Sequence, residues 1–528
     1  MTSLSRSSDV LLCGAAELAR RIAAGEFTSR QIVDAFIARI EKVNPKLNAV
    51  VWPLFAEART AADRADAAQQ RGESFGPLHG VPITVKDNFI VAGTPATIGL
   101  TTRKKTLDDH DGILVERMKR AGAIVLGKTN VPQLMIWHEC DNPLYGRTNN
   151  PWDVVRTPGG STGGEAAIIA AGGSPLGLGT DLGGSIRMPC HSCGIHGLKP
   201  TTGRLTRRGI FSNLRGMESI QLQPGPMARE VADLDLAMSV LVNGQPGESF
   251  QPDVHGGSWP SAATVDVSKL KIGYWLDDGY FTPSPAIRRA VRESVDSLRQ
   301  RGATVVEFQP PKIDEMLRIY YGLFSADGGA DARRLLADSG VDWRVARLLK
   351  LGKLSSWIRS LAVAGLRWRK QELSAQLLEC SFARTADEYW QLTAAATAYS
   401  QHFFSVWDAA GCDALLCPPH ALPAMQHRKP IDLVAAASYC YLPNLLGIPA
   451  GVISITRVRS DEETDRPASR DIVLKKAQQV ETQSAGLPVG VQILAKHWRE
   501  DIVLSIMSSL ESDFRTRPDY PLNALPPL

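Results

Sequence analysis

Two glycine-rich runs, Gly159-Gly160-Ser161-Thr162-Gly163-Gly164 and Gly179-Thr180-Asp181-Leu182-Gly183-Gly184-Ser185, each present a serine on a backbone with little side-chain bulk. Glycine permits angles closed to other residues and lets main-chain N–H groups approach a reacting carbonyl, as an oxyanion hole requires. Acyl transfer is the chemistry that fits. Hydrolysis of an amide needs a nucleophile, a base that later returns its proton to the leaving nitrogen, and oxyanion donors.

Two assignments meet those needs. In one, Gly159-Gly160-Ser161-Thr162-Gly163 is a GxSxG elbow, Ser161 is the nucleophile, and an aspartate and a histidine follow later in the chain. That reading leaves the second loop idle, and no downstream histidine stands in a recognisable setting. In the other, Ser185 attacks, Ser161 relays the proton and Lys86 accepts it. A free lysine titrates near ~10.4, so fewer than about one in a thousand is neutral at pH 7. Lowering it by ~3 units corresponds to about 4 kcal/mol of differential solvation, which an apolar site can impose.

The elements around these residues alternate. Helical periodicity runs through Ala15 to Ala24, Ser29 to Val43 (with Ile32, Phe36 and Ile40 on one stripe) and Phe55 to Gln70, and Thr28-Ser29 reads as an N-terminal cap. After Gly80 come short apolar strand candidates: Val81 to Val85 ending on Lys86, and Ala123 to Lys128 after a helix near Leu114 to Ala121. Glu165 to Ala171 continues the first loop as a helix. Further strands are expected at Lys271 to Tyr274, Thr304 to Phe308, Ala414 to Cys417, Ala450 to Ile453 and Pro488 to Ile493, with a helix from Pro285 to Gly302. Strand and helix in alternation predict an α/β layer fold. Arg457 to Asp471 reads as a polar surface loop.

The 528 residues are 44% hydrophobic and 22% charged, the balance of a globular chain with ample core. A net charge of +4 from 59 basic and 55 acidic residues gives no case for nucleic-acid binding. Eight scattered cysteines match no disulfide framework and read as reduced thiols; Cys190-His191-Ser192-Cys193 lacks the second pair that a zinc site would need. Met1 to Ala24 carries Asp9 and Glu17 in its apolar run, which points to a helix in a cytoplasmic protein rather than a signal peptide or span. One segment breaks the charge balance: Trp343 to Gln371 holds eight basic residues and no acidic one. Leu351, Leu354, Ile358 and Leu361 are expected on one helical stripe there, as in a helix lying at a membrane interface or a cap helix with a solvated basic face.

Together with Gly-Val-Pro-Ile-Thr-Val-Lys-Asp around Lys86, the two loops resemble those of the amidase signature family, and within it the fatty acid amide hydrolases. The likeness extends through Lys128 to Gln133, Asp141 to Gly146, Cys193 to Pro200, Gly225 to Arg229, Pro283 to Ala286 and Ile472 to Val489. It implies a three-layer α/β/α sandwich around a large mixed sheet, in one domain over 1–528, with an N-terminal helical segment (about 10–75) and a basic apolar cap (about 340–400). It implies Ser185 as acyl-enzyme nucleophile, Ser161 as bridging serine beside a cis peptide, and Lys86 as base then acid. The amides of Leu182, Gly183, Gly184 and Ser185 would form the oxyanion hole, and Thr162, Thr180, Asp181 and Arg187 would support it. Met135 and Ile136 would line an acyl channel, whereas Trp137 and His138 depart from the residues expected on its wall.

No metal or organic cofactor is implied. The expected substrate is an N-acyl amide with a long apolar acyl chain, met at a membrane surface through 343–370, and the expected assembly is a homodimer. Aryl amides, carbamates or esters are the first alternative, and a glutaminase component of an amidotransferase complex is the second.

Overall fold

The computed structural model describes residues 10–214, 216–244, 254 and 258–528; Met1 to Asp9 of the expected N-terminal helix lie outside them. The described helix there is Ala15–Ala23. The next helix, Ser29–Leu47, starts from a capping box in which Thr28 and Gln31 satisfy each other's backbone amides.

Eleven strands form one sheet. In chain order the strands are β1 (Val50–Pro53), β2 (Pro82–Lys86), β3 (Ile124–Thr129), β4 (Asp141–Asn142), β5 (Gly146–Arg147), β6 (Leu176–Asp181), β7 (His196–Lys199), β8 (Gln223–Ala228), β9 (Lys271–Tyr274), β10 (Thr304–Glu307), β11 (Ala414–Cys417), β12 (Ala450–Arg457) and β13 (Pro488–Ala495). The spatial order is β1-β3-β2-β6-β8-β7-β12-β13-β11-β9-β10, while β4 and β5 form a small separate pair. β2 runs parallel to both β3 and β6, and β9 to both β10 and β11; the strands between are antiparallel, so the sheet is mixed.

Every residue of β2, β3, β6, β7, β8, β11 and β13 is buried. Strands buried on both faces must be covered on both, which makes three layers. One large core joins the helices Ser29–Leu47, Val231–Val242, Pro285–Gln300 and Glu500–Phe514 to the sheet. A second holds the helices Ile313–Phe324, Ala386–Ala410 and Ser438–Leu445. The strands expected from apolar runs lie within two residues of their expected starts. β1, β4 and β5 are additions, as are β6, β7 and β8. The sequences of the last three, LGLGTD, HGLK and QPGPMA, carry the glycine and proline that weigh against a strand, and central burial overrides that preference.

The expected continuous stripe from Leu351 to Leu361 is corrected. The chain forms two helices, Trp343–Leu351 and Ser356–Trp368, interrupted at Gly352, so Leu351 and Ile358 do not share one helical face. Arg344 also leaves the solvated face: it is buried against Asp342, Asp141 and Glu139. Arg347 and Arg367 pair with Asp432 and Glu379. Among the described residues Lys350, Lys353, Arg369 and Lys370 have no carboxylate partner, and Trp357, Leu361 and Trp368 are 65%, 65% and 85% exposed. No helix among the described residues is long and apolar enough to cross a membrane.

Candidate active site

β2 and β6 lie side by side and parallel, with Val85 opposite Leu178. Lys86 at the end of one and Thr180-Asp181 at the end of the other therefore leave the sheet at the same edge. Lys86 is fully buried, and its Nζ lies 2.8 Å from Ser161 Oγ, 2.9 Å from Thr162 Oγ1, 2.8 Å from Thr180 Oγ1 and 3.2 Å from the Thr180 carbonyl. Burial lowers its pKa to about 7, against a smaller upward pull from the Asp181 carboxylate. Half of the amine is then neutral at neutral pH. A neutral amine has two hydrogens and one lone pair. Thr162 Oγ1 spends its own hydrogen on the Thr180 carbonyl, so it accepts from Lys86. With its second hydrogen given to Thr180, the neutral amine keeps its lone pair for the Ser161 hydroxyl, whereas the protonated amine donates to Ser161.

Glu165, on the helix Gly163–Ala170 that follows the first loop, supports this state. It is buried against the hydroxyls of Thr84 and Thr129, and burial raises its carboxyl to about 8. A carboxyl that stays mostly protonated at pH 7 adds little negative charge there, so its upward pull on Lys86 is small beside the effect of burial.

The second loop turns at Gly184, whose φ of 96° belongs to the left-handed region that favours glycine. Burial pushes the Asp181 carboxyl up, but the Arg187 guanidinium beside it outweighs that and holds it below the usual carboxylate range. Asp181 accepts from the amides of Gly184 at 2.9 Å and Ile186 at 3.0 Å, and from Arg187 Nη2 at 2.9 Å. Arg187 in turn donates to Gln492, Asn444 and the Cys440 carbonyl. The pair is wholly buried with its donors and acceptors matched, the condition under which a buried ion pair is tolerated.

One of the four expected oxyanion donors is already engaged. The Gly184 amide is committed to Asp181. Among the described residues the amides of Leu182, Gly183 and Ser185 have no acceptor. Ser185 is 8% exposed, and its carbonyl accepts from the Thr162 amide at 3.2 Å, which stitches the two loops together. The Gly160–Ser161 peptide is cis. No hydrogen bond joins the Ser161 and Ser185 hydroxyls, so the structure holds the Lys86–Ser161 contact and brings Ser185 to the adjoining loop without the last contact.

Met135 and Ile136 belong to one apolar cluster with Ile98, Leu134, Leu336, Val345 and Leu349, which ties them to the helix Trp343–Leu351. Next along the chain, the backbone from Trp137 to Glu139 approaches Gly160 so closely that a Cβ there would lie 2.3 Å from the Trp137 carbonyl oxygen. His138 reaches the second loop: its Nε2 lies 3.1 Å from the Gly183 carbonyl. Tyr320 donates its hydroxyl to the Leu182 carbonyl at 3.0 Å and stacks on Tyr441 with ring centres 4.4 Å apart. Tyr320, Asn444 and Gln492 escape a reading of the sequence, because nothing near them in the chain marks a side chain that crosses to a loop more than 130 residues away. A surface groove of about 730 Å³ along the helix Ala386–Ala410 contains none of these residues.

Comparison with known proteins shows the family and the fold. The profile of the family described as Amidase matches residues 31–504. Fatty-acid amide hydrolase 1 of Sus scrofa is 35% identical over 509 residues, spanning 94% of this chain and 84% of that protein. A glutamyl-tRNA(Gln) amidotransferase subunit of Chloroflexus aggregans is 30% identical over 94% of this chain and 96% of its own length. A solved structure of a fatty acid amide hydrolase superposes with a TM-score of 0.85 at 26% identity, over 99% of this chain and 87% of that one. On the family match and the breadth of these similarities, the chain belongs to the amidase signature family and is an amide hydrolase.

Proposed function

We propose that this amidase cleaves fatty acid amides through an acyl-enzyme on Ser185. Ser185 Oγ attacks the amide carbonyl as its proton passes to Ser161 Oγ and the Ser161 proton passes to Lys86 Nζ. The oxyanion rests on the amides of Leu182, Gly183 and Ser185. Lys86 then returns the proton through Ser161 to the leaving nitrogen, the C–N bond breaks and the amine departs. Water attacks the ester by the same relay in reverse and releases the acid. The observation that carries this reading is the buried amine of Lys86, depressed to about 7 and 2.8 Å from Ser161 Oγ. Catalytic contacts often tighten only when substrate binds, which is how the two hydroxyls would meet.

The acyl-chain class rests on two further supports. Met135 and Ile136 continue into an apolar cluster with the cap helix, and the cap exposes Trp357, Leu361 and Trp368 beside unpaired lysines and arginine. Exposed aromatic and aliphatic side chains among basic ones suit the interface of an anionic membrane. The segment 343–370 thus acts as a docking cap of one amidase domain, from which substrate enters. Mass spectrometry of the intact protein with an oleoyl amide or matching carbamate tests the first half: an acyl or carbamoyl adduct on the parent and none on Ser185→Ala.

A shorter aromatic acyl group is the second reading. Tyr320, Tyr441 and His138 crowd the Gly183 side of the loop. A p-nitroanilide series of rising acyl length separates the two, since rates flat beyond short chains favour the aromatic reading.

A further inference from the structure

The nucleophile loop is built of residues that resist staying in one place. Gly183 and Gly184 lack side chains, and a peptide between glycines rotates with little steric penalty. An oxyanion donor has to be held in its working direction before the charge appears, because reorganisation at that moment would add to the barrier. Something must therefore fix these peptide planes from outside.

Each plane carries a carbonyl at one end and an amide pointing the opposite way. The plane joining Leu182 to Gly183 has its carbonyl held by the Tyr320 hydroxyl at 3.0 Å, and its amide, that of Gly183, has no acceptor among the described residues. The plane joining Gly183 to Gly184 is held at both ends: its carbonyl lies 3.1 Å from His138 Nε2, and its amide is 2.9 Å from Asp181 Oδ1. A carbonyl can only accept, so His138 is protonated on Nε2. Both outside donors are themselves immobilised. Tyr320 is buried and stacked on Tyr441, and His138 lies 6.1 Å from Tyr441 at an interplanar angle of 23°. A Cβ on Gly183 would meet the Tyr320 hydroxyl at 2.5 Å, so the loop residue and its clamp are in direct contact. Hydrogen-bonding a peptide carbonyl also polarises the amide at the other end, by ~10–30% in condensed-phase estimates.

We propose that Tyr320 and His138 are positioning residues: Tyr320 clamps the Leu182 carbonyl and so aims the Gly183 amide at the oxyanion, and His138 clamps the Gly183 carbonyl and so fixes the next plane, on which that aim depends. Neither side chain exchanges a proton in the reaction. The inference rests on the assignment of Ser185 as nucleophile and would fall with it.

The test uses Tyr320→Phe, which keeps the ring and removes the donor, His138→Phe, which keeps an aromatic ring beside Tyr441, and His138→Gln, which restores a donor of similar reach. Losing a whole oxyanion donor costs ~10²–10³ in kcat, so losing its aim is expected to cost about 10- to 100-fold for each phenylalanine variant. KM stays within about twofold, because the ground-state carbonyl gains little from the hole. A trifluoromethyl ketone, whose adduct with Ser185 carries the oxyanion, loses affinity in parallel with kcat/KM, whereas an unreactive ether analogue of the substrate binds all variants equally. His138→Gln recovers most of the loss. Parent-like kcat in Tyr320→Phe and His138→Phe would overturn the inference. So would a matched loss of ether binding, or no recovery in His138→Gln despite parental melting. Fluorophosphonate labelling of the parent keeps the two layers apart: a parent not labelled on Ser185 sinks the nucleophile assignment and this inference together, while a labelled parent with unimpaired variants sinks this inference alone.

Discussion

The pH dependence of turnover reads the state of Lys86 directly. Burial places its pKa at about 7 instead of 10.5. At that value about 9% of the amine is neutral at pH 6 and about 91% at pH 8. With substrate well below KM, initial rates with a fluorogenic amide should rise about tenfold between those pH values and level off above them. An ordinary lysine would give about 100-fold over the same interval and no plateau below pH 10. A log-linear rise continuing past pH 9 would therefore refute the argument.

Stability carries the same signature with a definite sign. Between about pH 7 and 10.5 the unfolded chain holds a proton on this lysine that the folded chain has released, so stability rises with pH across that window. The whole effect is about 5 kcal/mol at most, at 1.36 kcal/mol per unit. It is absent above 10.5, where both states are neutral, and constant below 7. Lys86→Met should abolish this part of the slope while costing ~10³ or more in kcat.

Four further outcomes are expected. Glu165→Gln should leave the apparent kinetic pKa near that of the parent, because the carboxyl it replaces is raised to about 8 and is already protonated there; a shift well below 7 in titrated rates would show that the group is charged. Ser185→Ala should lose at least about 10⁴-fold in kcat and all fluorophosphonate labelling, with melting little changed. Arg187→Met leaves Asp181 charged, buried and without its guanidinium, and chemical denaturation should show a loss of about 3–5 kcal/mol. Replacing both Trp357 and Leu361 by serine should lower co-sedimentation with anionic vesicles by at least about tenfold, at ~2 kcal/mol for each large apolar side chain, and leave hydrolysis of a short soluble amide unaltered.

The residues that meet at Lys86 were more legible in the sequence than the frame around them. Ser161 and Ser185 stand in glycine-rich runs and Lys86 ends an apolar strand, features visible in the sequence, while Thr162 and Thr180 were expected from the family resemblance, and the structure places both hydroxyls against the amine. Glu165 sat in plain view, but its role depends on burial against Thr84 and Thr129, which no local pattern reveals. Asn444 and Gln492 meet Arg187 from 257 and 305 residues away, contacts made by packing and not by spacing. β6 was hidden because its alternating glycines, which let the helix bearing Glu165 come close, read as loop. Periodicity misled at Leu351 to Leu361, where Gly352 ends one helix before the stripe can continue.

Because the lysine and the nucleophile loop spring from neighbouring parallel strands, their separation is inherited from the ladder of backbone hydrogen bonds that holds those strands roughly 4.8 Å apart. Side-chain identity elsewhere has little leverage over that distance. The helices Trp343–Leu351 and Ser356–Trp368 and the residues Met135 and Ile136 are supplied by separate parts of the chain, and they can drift in composition without moving those two strands. Evolution of new acyl preferences is thereby uncoupled from the risk of losing catalysis, which fits a scaffold whose relatives bear names as different as fatty-acid amide hydrolase and glutamyl-tRNA(Gln) amidotransferase.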